Sequence, residues 1–223
     1  MKILQVANWY IPNHGYQEYF LADAWQRMGH DVLNVAGTNI YPREGFSKMN
    51  ISPDQSRVTP GLYEELGTKV QRLPSIELRN RILLSTQLEP LVLEYNPDLT
   101  VVHGITGINS FRLARLKHKS LKPFRLVCDE HLLLSNLQSG IIGTIFYKAF
   151  RQIAAPMLEN SVDAFVPISD ETLKILDQRC GIPIDKMTVI PLGVDSHKFK
   201  RNDKDRKLVR EELGVKTNET LLM

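Results

Sequence analysis

Short apolar runs alternate with amphipathic stretches along most of this 223-residue chain. The apolar runs are nearly uninterrupted, as in strands that are buried on both faces of a sheet. They predict strands at 2–8, 32–36, 69–73, 98–103, 124–128, 164–168 and 188–190. Between them, apolar residues recur at three- and four-residue spacing, which predicts helices at 16–29, 78–95, 107–118, 140–160 and 170–180. This alternation predicts an α/β fold with a doubly wound, mostly parallel, Rossmann-like sheet.

Two parts of the chain depart from this alternation. Residues 37–68 are rich in Gly, Pro, Ser and Asn, which predicts a long irregular loop. After Pro191 the sequence becomes highly charged, with a short helix predicted at 203–213 and an apolar run at the last residues. We therefore predict a domain over 1–195, and over 196–223 an interdomain linker, a short helix and the start of a second domain. On this reading the chain is a fragment of a longer protein.

The predicted helix at 140–160 has an apolar stripe, for which packing against the core is the favoured interpretation and contact with a membrane surface the alternative. The stripe consists of Ile141, Ile145, Phe146, Ala149, Ile153 and Met157. A second pattern lies at 104–127, which contains six Lys or Arg and no acidic residue. It is typical of a solvated helix face, and it would also suit anionic lipid head groups or an acidic acceptor.

Composition and charge exclude several classes. The chain is 43% hydrophobic, which excludes global disorder. Lys and Arg exceed Asp and Glu by 28 to 25, too small an excess to predict nucleic-acid binding. Cys128 and Cys180 lie far apart and form no metal-binding spacing. Since no secretory signal or membrane span is visible either, we expect a reduced, cytoplasmic protein.

The loop after the first strand is the first candidate site, because ligands bind at the carboxyl ends of parallel strands. Gly15 precedes a predicted helix whose free amides favour a phosphate, although it would also serve as a tight turn alone. A dinucleotide fingerprint needs three glycines in this loop and an acid after the second strand. This loop has one glycine and no acid directly follows the second predicted strand, so an NAD enzyme is disfavoured. No Walker A, GxSxG or HExxH motif occurs, and Asp203-Lys204-Asp205 lies in a charged linker without a preceding strand.

Two histidines follow predicted strands at the same edge. His103 ends one strand, and His131 follows another in the run Cys128-Asp129-Glu130-His131. Each could bind a sugar hydroxyl or phosphate oxygen or carry a proton, or could simply cap its strand end. Adjacent residues rarely converge on one ion, so we predict no metal site in this run.

Four segments together resemble the amino-terminal half of GT-B glycosyltransferases of family 4. They are KILQV at 2–6 running through Pro12, Gly15 and Glu18 to MGHDV at 28–32, PDLTVVHG at 97–104, VDAFVPIS at 162–169, and VIPLGVD at 189–195 followed by Phe199. The first loop departs from the family pattern because it has one glycine where members commonly have two. The family's motifs for the donor nucleotide, including a Glu, seven residues, Glu pattern, belong to a second Rossmann-like domain, whose first strand we expect to begin at the last residues of this sequence.

The resemblance implies a retaining transferase that needs no metal and no cofactor besides a nucleotide-sugar co-substrate. By position in the family, His131 would contact the donor sugar and help organise the transition state. Gly15 and Tyr16 would lie near the donor phosphates and the acceptor, with His103 a further binding candidate. Without its donor-binding half, the chain would be inactive alone.

The expected partners are a nucleotide sugar, bound mostly by the second domain, and an acceptor that is a saccharide, a lipid-linked or a small molecule. We also expect peripheral contact with the cytoplasmic membrane face. We expect no binding of nucleic acid. The alternative hypothesis is a non-catalytic acceptor- or membrane-binding half of a split transferase.

Overall fold

The computed structural model describes residues 1–11, 16–41, 56–121, 124–194, 196, 199–216 and 218–221, except for 79–80. These residues group into two compact units, Met1–Pro191 and Leu192–Met223. The described part of the second unit contains one helix, Asp203–Glu212, whose first turn is capped by the Asn202 side chain accepting from the amides of Lys204 and Asp205. The first unit contains the sheet and all of the predicted site residues.

A seven-stranded sheet forms the centre of the first unit. Its strands are β1 Lys2–Val6, β2 Asp31–Gly37, β3 Gly61–Glu65, β4 Thr68–Leu73, β7 Leu99–His103, β8 Arg125–Glu130 and β9 Ala164–Pro167. Their spatial order is β3-β4-β2-β1-β7-β8-β9. All neighbours are parallel except the edge strand β3, which runs antiparallel to β4. The predicted mostly parallel, doubly wound sheet is therefore confirmed.

Helices cover the sheet. They are α1 Gln17–Arg27, α2 Leu88–Tyr95, α3 Ile108–Lys119, α4 Gly140–Ala149, α5 Ala155–Ser161 and α6 Asp170–Ile175. A π-helical segment, Phe150–Ala154, joins α4 to α5, and a second, Leu176–Cys180, continues α6. Central strand residues such as Leu4, Val35, Val102, Leu126 and Phe165 are almost fully buried in the main core. None of the helices among the described residues is long and apolar enough to cross a membrane.

Three predicted elements differ in the structure. The first part of the helix predicted at 78–95 is a hairpin of β5 Ser75–Leu78 and β6 Arg81–Leu84, in which Ile82 and Leu84 are buried with period two. The irregular loop predicted at 37–68 contains β3, while 42–55 lie outside the described residues. Residues 188–190 form no strand in the described structure, although the amides of Thr188 and Ile190 donate to the carbonyls of Phe165 and Pro167 on β9.

The long helical region at 140–161 packs with a different face from the one predicted. Tyr147, Phe150 and Leu158 are buried, whereas Ile141 and Ile145 of the predicted apolar stripe are exposed. Gly143 is also buried, and an added Cβ there would lie 2.1 Å from the carbonyl oxygen of Gln138 in the segment just before the helix. The expectation that this stripe packs against the core is therefore wrong for its isoleucines.

Candidate functional site

The sheet order locates a crevice for a ligand. Counted along the chain, the six parallel strands have the order third, second, first, fourth, fifth, sixth, with the direction of winding reversing between β1 and β7. Open α/β sheets bind ligands outside the carboxyl ends of the strands at this switch point. Asn8, which follows β1, donates to the carbonyl of His103 at the end of β7 over 3.1 Å. The two strand ends that border the crevice are thus directly connected.

One carboxylate lies between the two predicted histidines. The parallel register of β7 and β8 pairs His103 with Asp129. The Nδ1 of His103 lies 2.7 Å from Oδ2 of Asp129, a hydrogen bond between side chains that are each 5% exposed. The Nε2 of His131 lies 3.6 Å from the same oxygen, an ion-pair distance. The structure therefore brings His103 and His131 together, and it does so through Asp129.

The charges in this cluster stabilise one another. Burial alone would lower the pKa of His103, but the charge and hydrogen bond of Asp129 outweigh it and raise the pKa. The pKa of His131 is raised in the same way, against its burial, by Asp129 and also by Glu18. Burial would raise the pKa of Asp129, yet the two histidines hold it well below its usual range. Asp129 is consequently ionised at neutral pH and favours the protonated form of both imidazoles.

Glu130 has a different role from its neighbours. Its side chain accepts hydrogen bonds of 3.0 Å from the amides of Thr106 and His131. Burial raises the pKa of its carboxyl group. The loops after β7 and β8 are therefore connected through Glu130, which holds the backbone of His131 in place.

Several buried polar atoms of the cluster have no hydrogen-bond partner within the described part of the chain. They are His103 Nε2, Asp129 Oδ1, His131 Nε2 and Glu18 Oε2. Glu18 lies in the first turn of α1, and its carbonyl oxygen accepts from the Gln5 side chain over 2.7 Å. Buried polar atoms in native proteins are nearly always paired, so unpaired ones at a crevice indicate groups that await a polar ligand or ordered water.

The same residues have the composition of a transition-metal site. One ligand atom each from His103, Asp129 and His131 lies within 4.8 Å of the others. Two imidazoles and a carboxylate suit a zinc-like ion chemically. This trio differs from the three adjacent residues 129–131, for which we predicted no metal site. The expectation that the site works without a metal stays a prediction, which we test below.

The other predicted site residues are less informative. Tyr16 directly precedes α1, is 47% exposed, and its carbonyl accepts from the amides of Tyr19 and Phe20. Gly15 lies outside the described residues. Sequence reasoning assigned no role to Asp129 or Asn8 and used Glu18 only for the family resemblance. Its place at the end of a predicted strand was the sequence feature that could have pointed to Asp129. Its pairing with His103, however, follows only from the register of β7 and β8.

The acid-free basic stretch is partly neutralised by acids from elsewhere. Arg112 on α3 forms a two-pronged ion pair with Glu89 and donates to the carbonyls of Leu84 and Ser85. Lys117 pairs with Asp163. At these two positions the stretch is neither a freely solvated face nor an open binding surface for anions.

Comparisons with known proteins agree with this fold. The structure resembles a glycosyltransferase from Rickettsia africae ESF-5, with a TM-score of 0.54 and 14% identity, over 97% of this chain and 50% of that one. It also resembles an E. coli structure described as trehalose-6-phosphate bound with UDP-2-fluoro glucose, with a TM-score of 0.50 and 10% identity, over 96% and 55% of the two chains. The chain thus spans about half the length of these structures.

Among curated protein sequences, none matches this chain. The model of Glycosyltransferase Family 4, however, matches residues 19–198, most of the chain and nearly all of the first unit. The predicted Rossmann-like half of a GT-B fold and the family resemblance are both confirmed. The chain belongs to Glycosyltransferase Family 4.

Proposed function

We propose that this chain is the acceptor-side half of a retaining transferase that moves a sugar from a nucleotide sugar to a saccharide, lipid-linked or small-molecule acceptor. The observation that carries the proposal is the His103–Asp129–His131 cluster, with its unpaired buried polar atoms, at the switch-point crevice of a Family 4 chain. The reaction takes place in the cytoplasm and needs no metal.

His131 is the proposed catalytic residue because a substrate can reach its side chain and because Asp129 stabilises its positive charge. Its side chain is 38% exposed, whereas His103 and Asp129 are buried behind it. Asp129 favours the imidazolium form, which can donate to a sugar hydroxyl and stabilise negative charge that develops on the leaving phosphate. His103 holds the Asp129 carboxylate in position. In such a site, catalysis consists of positioning and electrostatic stabilisation.

Donor binding is proposed to come mainly from a second domain. This chain covers 50–55% of the two structures described above. The family resemblance assigns most nucleotide-sugar contacts to that other half, and Gly15 and Tyr16 would meet the donor phosphates from this side. We therefore expect the 223-residue chain alone to have no useful transferase activity.

The test is turnover of a panel of nucleotide sugars by the intact gene product, beside the 223-residue chain. His131→Ala should reduce the rate at least about 100-fold, the effect of losing one donor that stabilises charge in the transition state. His118→Ala, an exposed histidine in the last turn of α3, is the control and should keep the rate. If the intact product turns over no donor yet binds an acceptor or a partner chain, the non-catalytic alternative replaces this proposal.

A further inference from the structure

We infer that His103, Asp129 and His131 form a binding site for Zn²⁺, and that zinc bound there inhibits the transferase. The binding rests on the arrangement of the three side chains alone, whereas the inhibition rests also on the proposed function. Zinc takes no part in turnover, which needs no metal, and acts on the enzyme from outside as a reversible inhibitor.

The ligand atoms have nearly the spacing that zinc requires. His103 Nδ1 and His131 Nε2 lie 2.7 and 3.6 Å from Oδ2 of Asp129. Around a tetrahedral zinc ion with bonds of about 2.0–2.2 Å, neighbouring ligand atoms are about 3.3 Å apart. One atom from each residue lies within 4.8 Å of the other two. A small rotation of the partly exposed His131 side chain therefore suffices to place all three around one ion.

The backbone that carries the ligands is held in place before any ion binds. The amide of Gly104, directly after His103, donates to the Asp129 carbonyl over 3.0 Å. The amide of His131 donates to the Glu130 carboxylate over 3.0 Å. These bonds connect the ends of β7 and β8, from which all three ligands extend. Because little has to be ordered when the ion arrives, more of the coordination energy appears as affinity.

The charge of the site favours a cation. Besides Asp129, a second carboxylate faces the cluster: Glu18 has a buried Oε2 without a hydrogen-bond partner in the described chain, and its charge acts on both imidazoles. A zinc ion brings as much positive charge as the two imidazole protons that it displaces, and it bonds to the nitrogen lone pairs that hold them. The two carboxylates that stabilise the protonated histidines therefore stabilise the ion as well.

The ligand set fits a reversible site better than a structural one. Structural zinc sites almost always have four protein ligands. Three residues of the described chain supply ligand atoms here, and the neighbouring Cys128 is packed in the main core instead. His131, whose side chain is 38% exposed, opens the site toward the crevice. An ion can therefore enter and leave without unfolding of the chain.

Bound zinc would disable the proposed catalytic group. His131 acts in the proposed reaction by donating a proton of its imidazolium to a hydrogen bond with the sugar or the leaving phosphate. Zinc on Nε2 occupies the lone pair that carries this proton, so the nitrogen can no longer donate. Mg²⁺ prefers oxygen ligands and gains little from two imidazoles. Inhibition should consequently be selective for Zn²⁺ over Mg²⁺.

The binding is tested by calorimetric titration of Zn²⁺ into the intact gene product, after treatment with EDTA and removal of the chelator. The wild type should bind one ion per chain. His131→Ala should weaken the affinity at least about 100-fold, because even the loss of an outer-shell partner costs about 10- to 100-fold. His118→Ala, at an exposed histidine on α3, is the control and should bind as the wild type does. Thermal unfolding without zinc verifies that each variant is folded.

The inhibition is tested by donor turnover across zinc concentrations. Zinc should abolish turnover with an inhibition constant that equals the dissociation constant from calorimetry, EDTA should restore the rate, and Mg²⁺ should leave it unchanged. Asp129→Asn, which keeps a measurable rate, should raise both constants by the same factor.

Three results would separate the parts of this inference. Equal zinc affinity of the wild type and His131→Ala would overturn the site, whatever the activity. Zinc that binds in a His131-dependent manner but leaves the rate unchanged, or raises it, would overturn the inhibition. If the intact product turns over no donor while zinc binding still depends on His131, the proposed function fails and the zinc site stands.

Discussion

Two buried charged clusters lie at the carboxyl ends of the same sheet, one on each side of β1, and they differ in how completely their polar atoms are paired. Arg72 on β4 is fully buried, and its guanidinium binds both oxygens of Glu65 over 2.9 and 2.6 Å. Two further N–H groups donate to the carbonyls of Gly37 and Tyr10 over 3.1 and 2.8 Å. Four of the five guanidinium N–H donors are therefore paired within the described residues.

The histidine cluster is the opposite case. His103, Asp129 and His131 share one short hydrogen bond and one longer ion pair, and each has a buried atom without a partner in the described chain. Burial of charge is common to both clusters and therefore does not identify a site by itself. The unpaired atoms are the discriminating feature, because a structural cluster stabilises the fold only when its polar groups are satisfied. The predictions below test this distinction.

The largest effect is expected from Glu65→Gln on stability. It leaves the buried Arg72 charge without its carboxylate, which should lower the free energy of unfolding by about 3–5 kcal/mol in urea titrations. The activity per folded molecule should not change. Asp23→Asn, in the exposed pair with Arg27, is the control and should cost at most about 0.5 kcal/mol. A loss below about 1 kcal/mol for Glu65→Gln would mean that this cluster is not the structural one.

Asp129→Asn should act mainly on the rate. Because Asp129 orients His131 and favours its protonated form, the substitution should reduce kcat about 10- to 100-fold with little change in KM. Asp129 raises the pKa of His131, so its removal lowers that pKa. The limb of the pH–rate profile that reports His131 should therefore move to lower pH. A uniform loss of rate with an unshifted profile would reduce Asp129 to a structural residue.

The pH dependence of the free energy of unfolding should reveal the ion pair between Asp129 and His103. Asp129 has a lowered pKa, so its contribution is present above its ordinary value of 3.8 and is lost as the pH falls. His103 has a raised pKa, so its contribution is complete below 6.5 and is lost as the pH rises through the raised value. The wild type should exceed Asp129→Asn by about 1–3 kcal/mol between these values and by less at pH 9. Thermal unfolding across pH measures this, and a constant difference would contradict it.

The smallest effect is expected from metal removal. Treatment of the intact enzyme with EDTA should change the rate by less than about twofold, because the proposed chemistry relies on His131 and fixed dipoles. Loss of activity that a divalent ion restores would instead make the histidine cluster a metal centre. His131→Ala with bound metal content measured before and after would then show whether this residue is a ligand.

The pattern of apolar residues determined the architecture well where strands are buried on both faces. β1, β2, β7 and β8 lie within two residues of their predicted positions, because a continuous apolar run has no other stable place in a soluble domain. The hairpin at 75–84 was missed because its register depends on packing against α3, where the Asn109 side chain donates to the Ile82 carbonyl and accepts from the Leu84 amide. The spacing of apolar residues along the chain does not by itself specify such a partner.

The sequence by itself also predicted that His103 and His131 lie at one edge of the sheet, since both follow strands whose carboxyl ends share that edge. The tertiary structure decided the rest. Asp129 lies between them because the register of β7 and β8 aligns residues that are 26 positions apart. Ile141, Ile145 and Ile153 are exposed, whereas Tyr147, Phe150 and Leu158 of the same helical region pack into the core. Periodicity records which residues share a face, whereas the neighbours in space determine which face is covered.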